Sequence, residues 1–358
     1  MTIILVSALL ISTLSFTAYS LCATVEANTM SKSAVLQTVT NWLVENYDGF
    51  YHLKDIQVNI IRELETDTHI KYTVALSCMT KLLVASKDEL PFVKGLYDEV
   101  ASQKIVEPEV ISSMTSFINS IDFSDDYSLL NLNLVVMADY QGKMNMYYQD
   151  AMDTKLYSLS LLELDYTHMY QSGKNYISNL LSSYGKSEVT RGYSLYDRVA
   201  ARDYAQQYTG NYVSSCYDDG SSCGFLQNRL LWNNSSYPYI SNLKHADCAD
   251  LVSQSMAAGG IPVDSGLWDR FNDGNNNWAW TYVPGLKYYM VNQGYWDTST
   301  FAAANAGNIL LWSDEGHVAI ITLNDTVTHR FTAHTNDLDN YQFFDSTTYD
   351  YYTIKTSP

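Results

Sequence analysis

The segment His245-Ala-Asp-Cys-Ala-Asp-Leu-Val-Ser-Gln-Ser-Met-Ala-Ala-Gly-Gly-Ile-Pro262 constrains this chain most, because it writes both ends of a helix and sets a cysteine at its start. Asp247 reads as the helix N-cap, since a carboxylate there can accept a bond from a first-turn amide. Ala249 to Ala258 contains no breaker, and Gly259-Gly260 followed by Pro262 ends the helix. Cys248 therefore falls where the helix dipole and free amides favour negative charge. Such a place is expected to lower the thiol pKa and so to favour the nucleophilic thiolate. The same amides could hold an oxyanion formed on attack at a carbonyl. The competing reading of Cys248 is a small buried apolar residue.

A histidine further along gives the motif a partner. Gly307 to Trp312 reads as a short buried strand, Ser313 to Gly316 as a polar turn, and His317 to Leu323 as a strand opened by a histidine. The next segment, Phe331 to Asp337, reads as a further strand and offers His334 and Asn336 to orient the His317 imidazole. Together these form a nucleophile, base and orienter in the chain order of papain-like enzymes. His245, Cys248, His317 and His334 could instead bind zinc, but the tight cysteine pairs of structural zinc sites are missing. Asp269 to Gly274 fails as a calcium loop, because Phe271 stands where an oxygen ligand is required. The sequence thus calls for no metal and no cofactor.

Asp247-Cys-Ala-Asp-Leu-Val252 resembles the Asp-Cys-Ser-Gly-Leu-Val signature of NlpC/P60 cysteine peptidases. The longer run to Pro262 is similar to the putative amidase domain family, which reads Asp-Cys-Thr-Asn-Phe-Val-Ser-Gln and then Gly-Gly-Ile-Pro. A Tyr196-Asp-Arg helix, a Tyr237-Pro element and a His334-Thr-Asn-Asp segment fall in the family's order, so the resemblance covers roughly residues 195–358. It implies a papain-like carboxy-terminal fold, with Cys248 as nucleophile and His317 as general base. His334 falls where NlpC/P60 enzymes often carry a second histidine, whereas Asn336 would suit the papain pattern. His334 is preferred as the orienter nearer the His317 ring. Asn308 departs from the family, which usually has Asp after Gly307. Tyr237 and Tyr239 are neighbours that could donate to an oxyanion.

With 358 residues and 46% hydrophobic content, two globular domains are expected. Residues 1–27 carry no charged side chain before Glu26 and read as a secretory signal peptide. The amino-terminal part, 31–181, shows a helical stripe over Ser33–Tyr47, strands over Thr68–Val84 and Leu129–Tyr148, and a helix over Phe92–Ile105. It reads as an α+β domain without site chemistry. Residues 182–193 form the linker, and 194–358 the papain-like domain. Cys78 lies in an apolar run and reads as inert.

The formal charge of −18 argues against nucleic acid or an anionic membrane as partner, since both need a cationic face. All the tryptophans but Trp42 fall between Trp232 and Trp312, where they could fill a core or line a groove. The expected protein is a secreted α+β cysteine hydrolase cleaving an amide bond, in a cell-wall or other secreted peptide, through a thioester. The alternatives are an acyltransferase using the same thioester and a non-catalytic extracellular binding module. Cys216 and Cys223 frame a polar turn and should form a disulfide outside the cytosol, leaving Cys248 free. Peptide mapping under non-reducing conditions checks this; recovery of Cys248 linked to either partner would contradict it.

Overall fold

The stripe over Ser33–Tyr47 becomes a helix because Ser31 accepts the Ala34 amide at its start and its apolar residues repeat with helical spacing. A computed structural model of the chain describes residues 31–105, 107–150, 155–183, 196–210, 214–215, 226–237, 247–270 and 278–355. The expected signal peptide, most of the expected linker, Cys216, Cys223, Tyr239 and His245 lie outside the described residues.

Helix α1 (Lys32–Tyr47) lays Val35, Val39, Leu43 and Tyr47 on a hairpin of β1 (Tyr51–Glu65) and β2 (His69–Leu82). Along β2 every second residue is buried, from Ile70 through Tyr72, Val74, Leu76 and Cys78 to Leu82, as a strand with one covered face requires. Helices α2 (Pro91–Gln103) and α3 (Pro108–Ser120) both open on proline, where the missing N–H is not needed. The run expected as one strand over Leu129–Tyr148 is two, β3 (Ser128–Asp139) and β4 (Met144–Gln149). It folds back at a turn where Gly142 adopts φ +91°. Short β5 (Leu156–Ser158) and α4 (Tyr166–Ser183) complete this half. The sequence reading did not anticipate β1, α3 or α4.

The second half begins with α5 (Arg198–Gln207), capped by the Asp197 carboxylate on the Ala200 amide. A two-stranded ladder of β6 (Ser214–Ser215) and β7 (Leu226–Gln227) follows. Then come α6 (Cys248–Ala258), the single turn α7 (Trp278–Thr281), α8 (Val283–Asn292) and β8 (Trp296–Thr298). The chain ends in β9 (Ile309–Trp312), β10 (Val318–Asn324), β11 (His329–Ala333), β12 (Leu338–Phe343) and β13 (Tyr349–Ile354). Strand β10 opens on an apolar run, Val318 to Ile321, because it is covered on both faces. Val318 and Ile320 meet one apolar cluster with α6, while Ala319 and Ile321 meet another on the far side.

The fold is α+β, and one eleven-stranded sheet runs through both halves in the order β1-β2-β3-β12-β11-β10-β9-β13-β8, with β4 and β5 branching from β3. The halves join by a short parallel contact of β3 with β12, Asn131 opposite Tyr341. Beside it the fully buried Arg330 of β11 donates to Thr80 Oγ1 at 2.8 Å, Leu129 O at 2.6 Å and Ser128 Oγ at 3.0 Å. Tyr51 donates to Asp325 Oδ2 at 2.7 Å, and burial pushes the Asp325 carboxyl above its ordinary range, Arg330 offsetting only part of that rise. Removing one member of such a set leaves a buried charge uncompensated, at a cost of about 3–5 kcal/mol. Arg330→Met should lower the unfolding free energy by about 3 kcal/mol or more in urea titration. A variant within experimental error of the parent would mean that the junction is not a stability element.

Candidate active site

Helix α6 is buried from Cys248 to Met256, polar residues included, so each polar side chain needs a partner. Ser253 donates to Trp280 O at 2.9 Å and receives Trp268 Nε1 at 3.2 Å. Gln254 receives the Tyr204 hydroxyl at 2.7 Å, and Trp280 Nε1 donates to Asp250 Oδ1 at 2.6 Å. The helix stops as its sequence reads. Gly260 takes φ +97°, its amide bonds Ala257 O, and the Ile261 amide bonds Met256 O. The Tyr196-Asp-Arg element docks against this end. The Asp197 amide bonds Gly259 O at 2.9 Å, Tyr196 donates to Gly307 O at 2.8 Å, and Arg198 donates to Ala306 O at 2.9 Å. Gly307 sits at φ +81° with Arg198 so close that a Cβ would meet its carbonyl oxygen at 2.3 Å. Glycine there serves both the left-handed conformation and the close approach.

Cys248 is the first residue of α6, and Asp247 occupies the cap position as read. The carboxylate, however, makes no capping bond. It turns to His334, whose Nδ1 lies 2.8 Å from Asp247 Oδ2. The expected low thiol pKa also needs correcting. Burial pushes Cys248 above its ordinary value, and bonds from the Thr335 hydroxyl and the Val318 and Ala249 amides recover only part of that. Desolvation outweighs the helix end here.

His317 immediately precedes β10, so the Val318 amide that bonds the sulfur belongs to its neighbour in the chain. Its ring is buried edge-on to Trp312, centroids 4.7 Å apart, and neither ring nitrogen has a hydrogen-bond partner among the described residues. Burial drops its pKa to about 3, so the imidazole is neutral at ordinary pH.

The segment carrying His334 and Asn336 is a turn, not the strand expected: β11 ends at Ala333 and β12 begins at Leu338. Strand alternation therefore does not relate the two residues. His334 is buried between Asp247 and Tyr208 O, 3.0 Å from Nε2, and stacks on Trp232 at 4.6 Å. It makes no hydrogen bond to either His317 nitrogen. Asn336 is half-buried and likewise makes no hydrogen bond to either His317 nitrogen. Between them Thr335 adopts φ +88°, a strained conformation for a β-branched residue that costs on the order of 1–3 kcal/mol. Its hydroxyl accepts the Asp247 amide at 3.0 Å and bonds the thiol. Nothing in the local sequence signals this role.

A carbonyl only accepts, so His334 Nε2 carries a proton and Nδ1 can accept one from Asp247. Burial lifts Asp247 to about 6. Burial, then the charge of Asp247, lifts Asp250 to about 7. The two carboxyl groups hydrogen-bond one another, which requires a shared proton. Arg270, also buried, brings its Nη2 to 2.6 Å from Asp250 Oδ2. Tyr237 lies beside this group, its ring 5.5 Å from the Arg270 guanidinium and 6.0 Å from the Trp280 ring. Asp250, Arg270 and Trp280 were not singled out from sequence.

Residues 195–357 match the family model described as Putative amidase domain. That match supports an enzyme of the amidase class acting on an amide-containing substrate. Neither a curated protein nor a solved structure matches the chain.

These shifts give the stability of the protein a definite pH dependence. The folded pKa of Asp250 is raised, so its contribution is complete below the unfolded value of 3.8 and is lost as pH rises through about 7. His317 is lowered, so its contribution is complete above 6.5 and is lost as pH falls toward about 3. Urea titrations across this range should find that Asp250→Asn flattens the decline above pH 5. An unchanged slope in that variant would contradict the shared-proton arrangement.

Proposed function

We propose that the carboxy-terminal half hydrolyses an amide bond with Cys248 as nucleophile and His317 as general base. The observation that carries this reading is the convergence on one sulfur of the α6 amino terminus, the Val318 amide next to His317, and the Thr335 hydroxyl. In the reaction His317 takes the thiol proton and the sulfur attacks the amide carbon. The carbonyl oxygen takes up the negative charge near the first amides of α6. The amine leaves with the proton from His317, and water then cleaves the thioester. Because both groups are neutral at rest, the thiolate forms only as the proton passes to His317.

In this scheme His334 is a positioning residue. It holds the Asp247 side chain and, through the Asp247 amide on Thr335, the turn that reaches the sulfur. Asn336 remains on the same turn as a group that substrate binding could bring to His317. The resemblance to NlpC/P60 enzymes makes a cell-wall or other secreted peptide the proposed substrate. Secretion, with removal of residues 1–27 and a Cys216–Cys223 disulfide, belongs to the same proposal. A second reading, a binding module without turnover, draws support from the burial of Cys248 and from the unbonded His317 ring.

Cys248→Ala and His317→Ala should each remove hydrolysis by roughly four orders of magnitude or more, and the double variant should lose little beyond either. His334→Ala should slow turnover less than Cys248→Ala and more than Asn336→Ala. Intact mass after iodoacetamide treatment separates the readings. One adduct on Cys248, slower in His317→Ala, supports the enzyme. An inert native thiol together with full retention of ligand binding in Cys248→Ala supports the binding module.

A further inference from the structure

A cleft of about 420 Å³ opens where the two halves meet, away from Cys248. Its walls come from the end of β2, the stretch after α3, helix α5 and strands β10 and β11. In a chain of net charge −18 it gathers Lys81, Arg198, Arg202 and Arg330.

Its acids are largely committed. Asp122 Oδ2 accepts the Ala306 and Asn324 amides at 3.2 and 2.8 Å. Asp325 accepts the Val327 and Thr328 amides and the Tyr51 hydroxyl. Asp126 is exposed to water. The cations hold donors in reserve. Arg330 is fully buried, yet its Nε has no hydrogen-bond partner among the described residues. Arg198 spends Nη1 on Ala306 O, and Arg202 spends Nε and Nη2 on Asp203. Arg198 and Arg202 both act on the buried charge of Asp122. Lys81 has only a loose contact of 3.9 Å with the exposed Asp125.

A buried guanidinium donor without an acceptor is costly, and planar Arg donors match carboxylate and phosphate oxygens. We infer that this cleft binds a small oxyanion bearing phosphate or clustered carboxylates, bridging the two halves. The inference does not depend on the proposed catalysis.

Calorimetric titration of the intact protein with inorganic phosphate and, separately, with citrate tests it at constant ionic strength. Saturable binding of at least one probe is expected, with a matching rise in melting temperature. Which probe binds tells phosphate from carboxylate recognition. Arg202→Gln and Lys81→Gln should each weaken binding roughly tenfold, the usual effect of losing one charge-assisted contact. Arg62→Gln, on exposed β1, should bind as the parent does, and so should Cys248→Ala. Absence of saturable binding by both probes, or affinity unchanged in Arg202→Gln and Lys81→Gln, would overturn the assignment.

Discussion

Asp247 and Asp250 stand three residues apart at a buried helix start, and burial raises both above the ordinary carboxylate range, Asp250 further for its neighbour's charge. Much of the site follows from that constraint. A buried carboxylate needs a cation or a proton. Arg270 and Trp280 serve Asp250, and His334 serves Asp247. His334 is thereby fixed against Tyr208 and Trp232, which sets the path of the turn after β11. That path brings Thr335 to Cys248 at the expense of an unfavourable backbone angle. The thiol is thus held by the far end of a hydrogen-bonded chain that begins in carboxyl chemistry.

The parts legible in the sequence were those decided locally. Gly260 and Pro262 ended α6 where they stood, and the apolar run after His317 became a strand covered on both faces. Asp197 capped α5 through its own side chain. Asp247 looked equally suited to capping, but a buried imidazole outbid the first-turn amides for its carboxylate. Strand β1 was missed because it lies at the edge of the sheet with most side chains exposed, so its alternation is blurred. Helix α3 did carry a helical stripe at Val110, Met114, Phe117 and Ile118, and its proline start was the overlooked sign. Thr335 could not have been read at all, since its part depends on a left-handed φ imposed by tertiary contacts.

The two halves share more than a covalent link. Val327 and Phe344 of the second half pack into the apolar cluster of the first, while Arg330, Tyr51 and Asp122 tie the polar layer beside it. The β3–β12 contact makes the sheet continuous, so the strands that adjoin His317 and Thr335 rest on a platform that the first half extends. An amino-terminal segment without site chemistry of its own can therefore influence the site through the stiffness of the sheet.

The order in which these pieces occur along the chain also matters during synthesis. Cys248 is made before His317, before the β10 amide that binds its sulfur, and before the turn that supplies Thr335. Its burial depends on strands that do not yet exist when α6 first emerges. For that interval the thiol is an ordinary exposed cysteine, open to oxidants and stray disulfide partners. The nascent chain is then vulnerable at an atom that the finished fold buries.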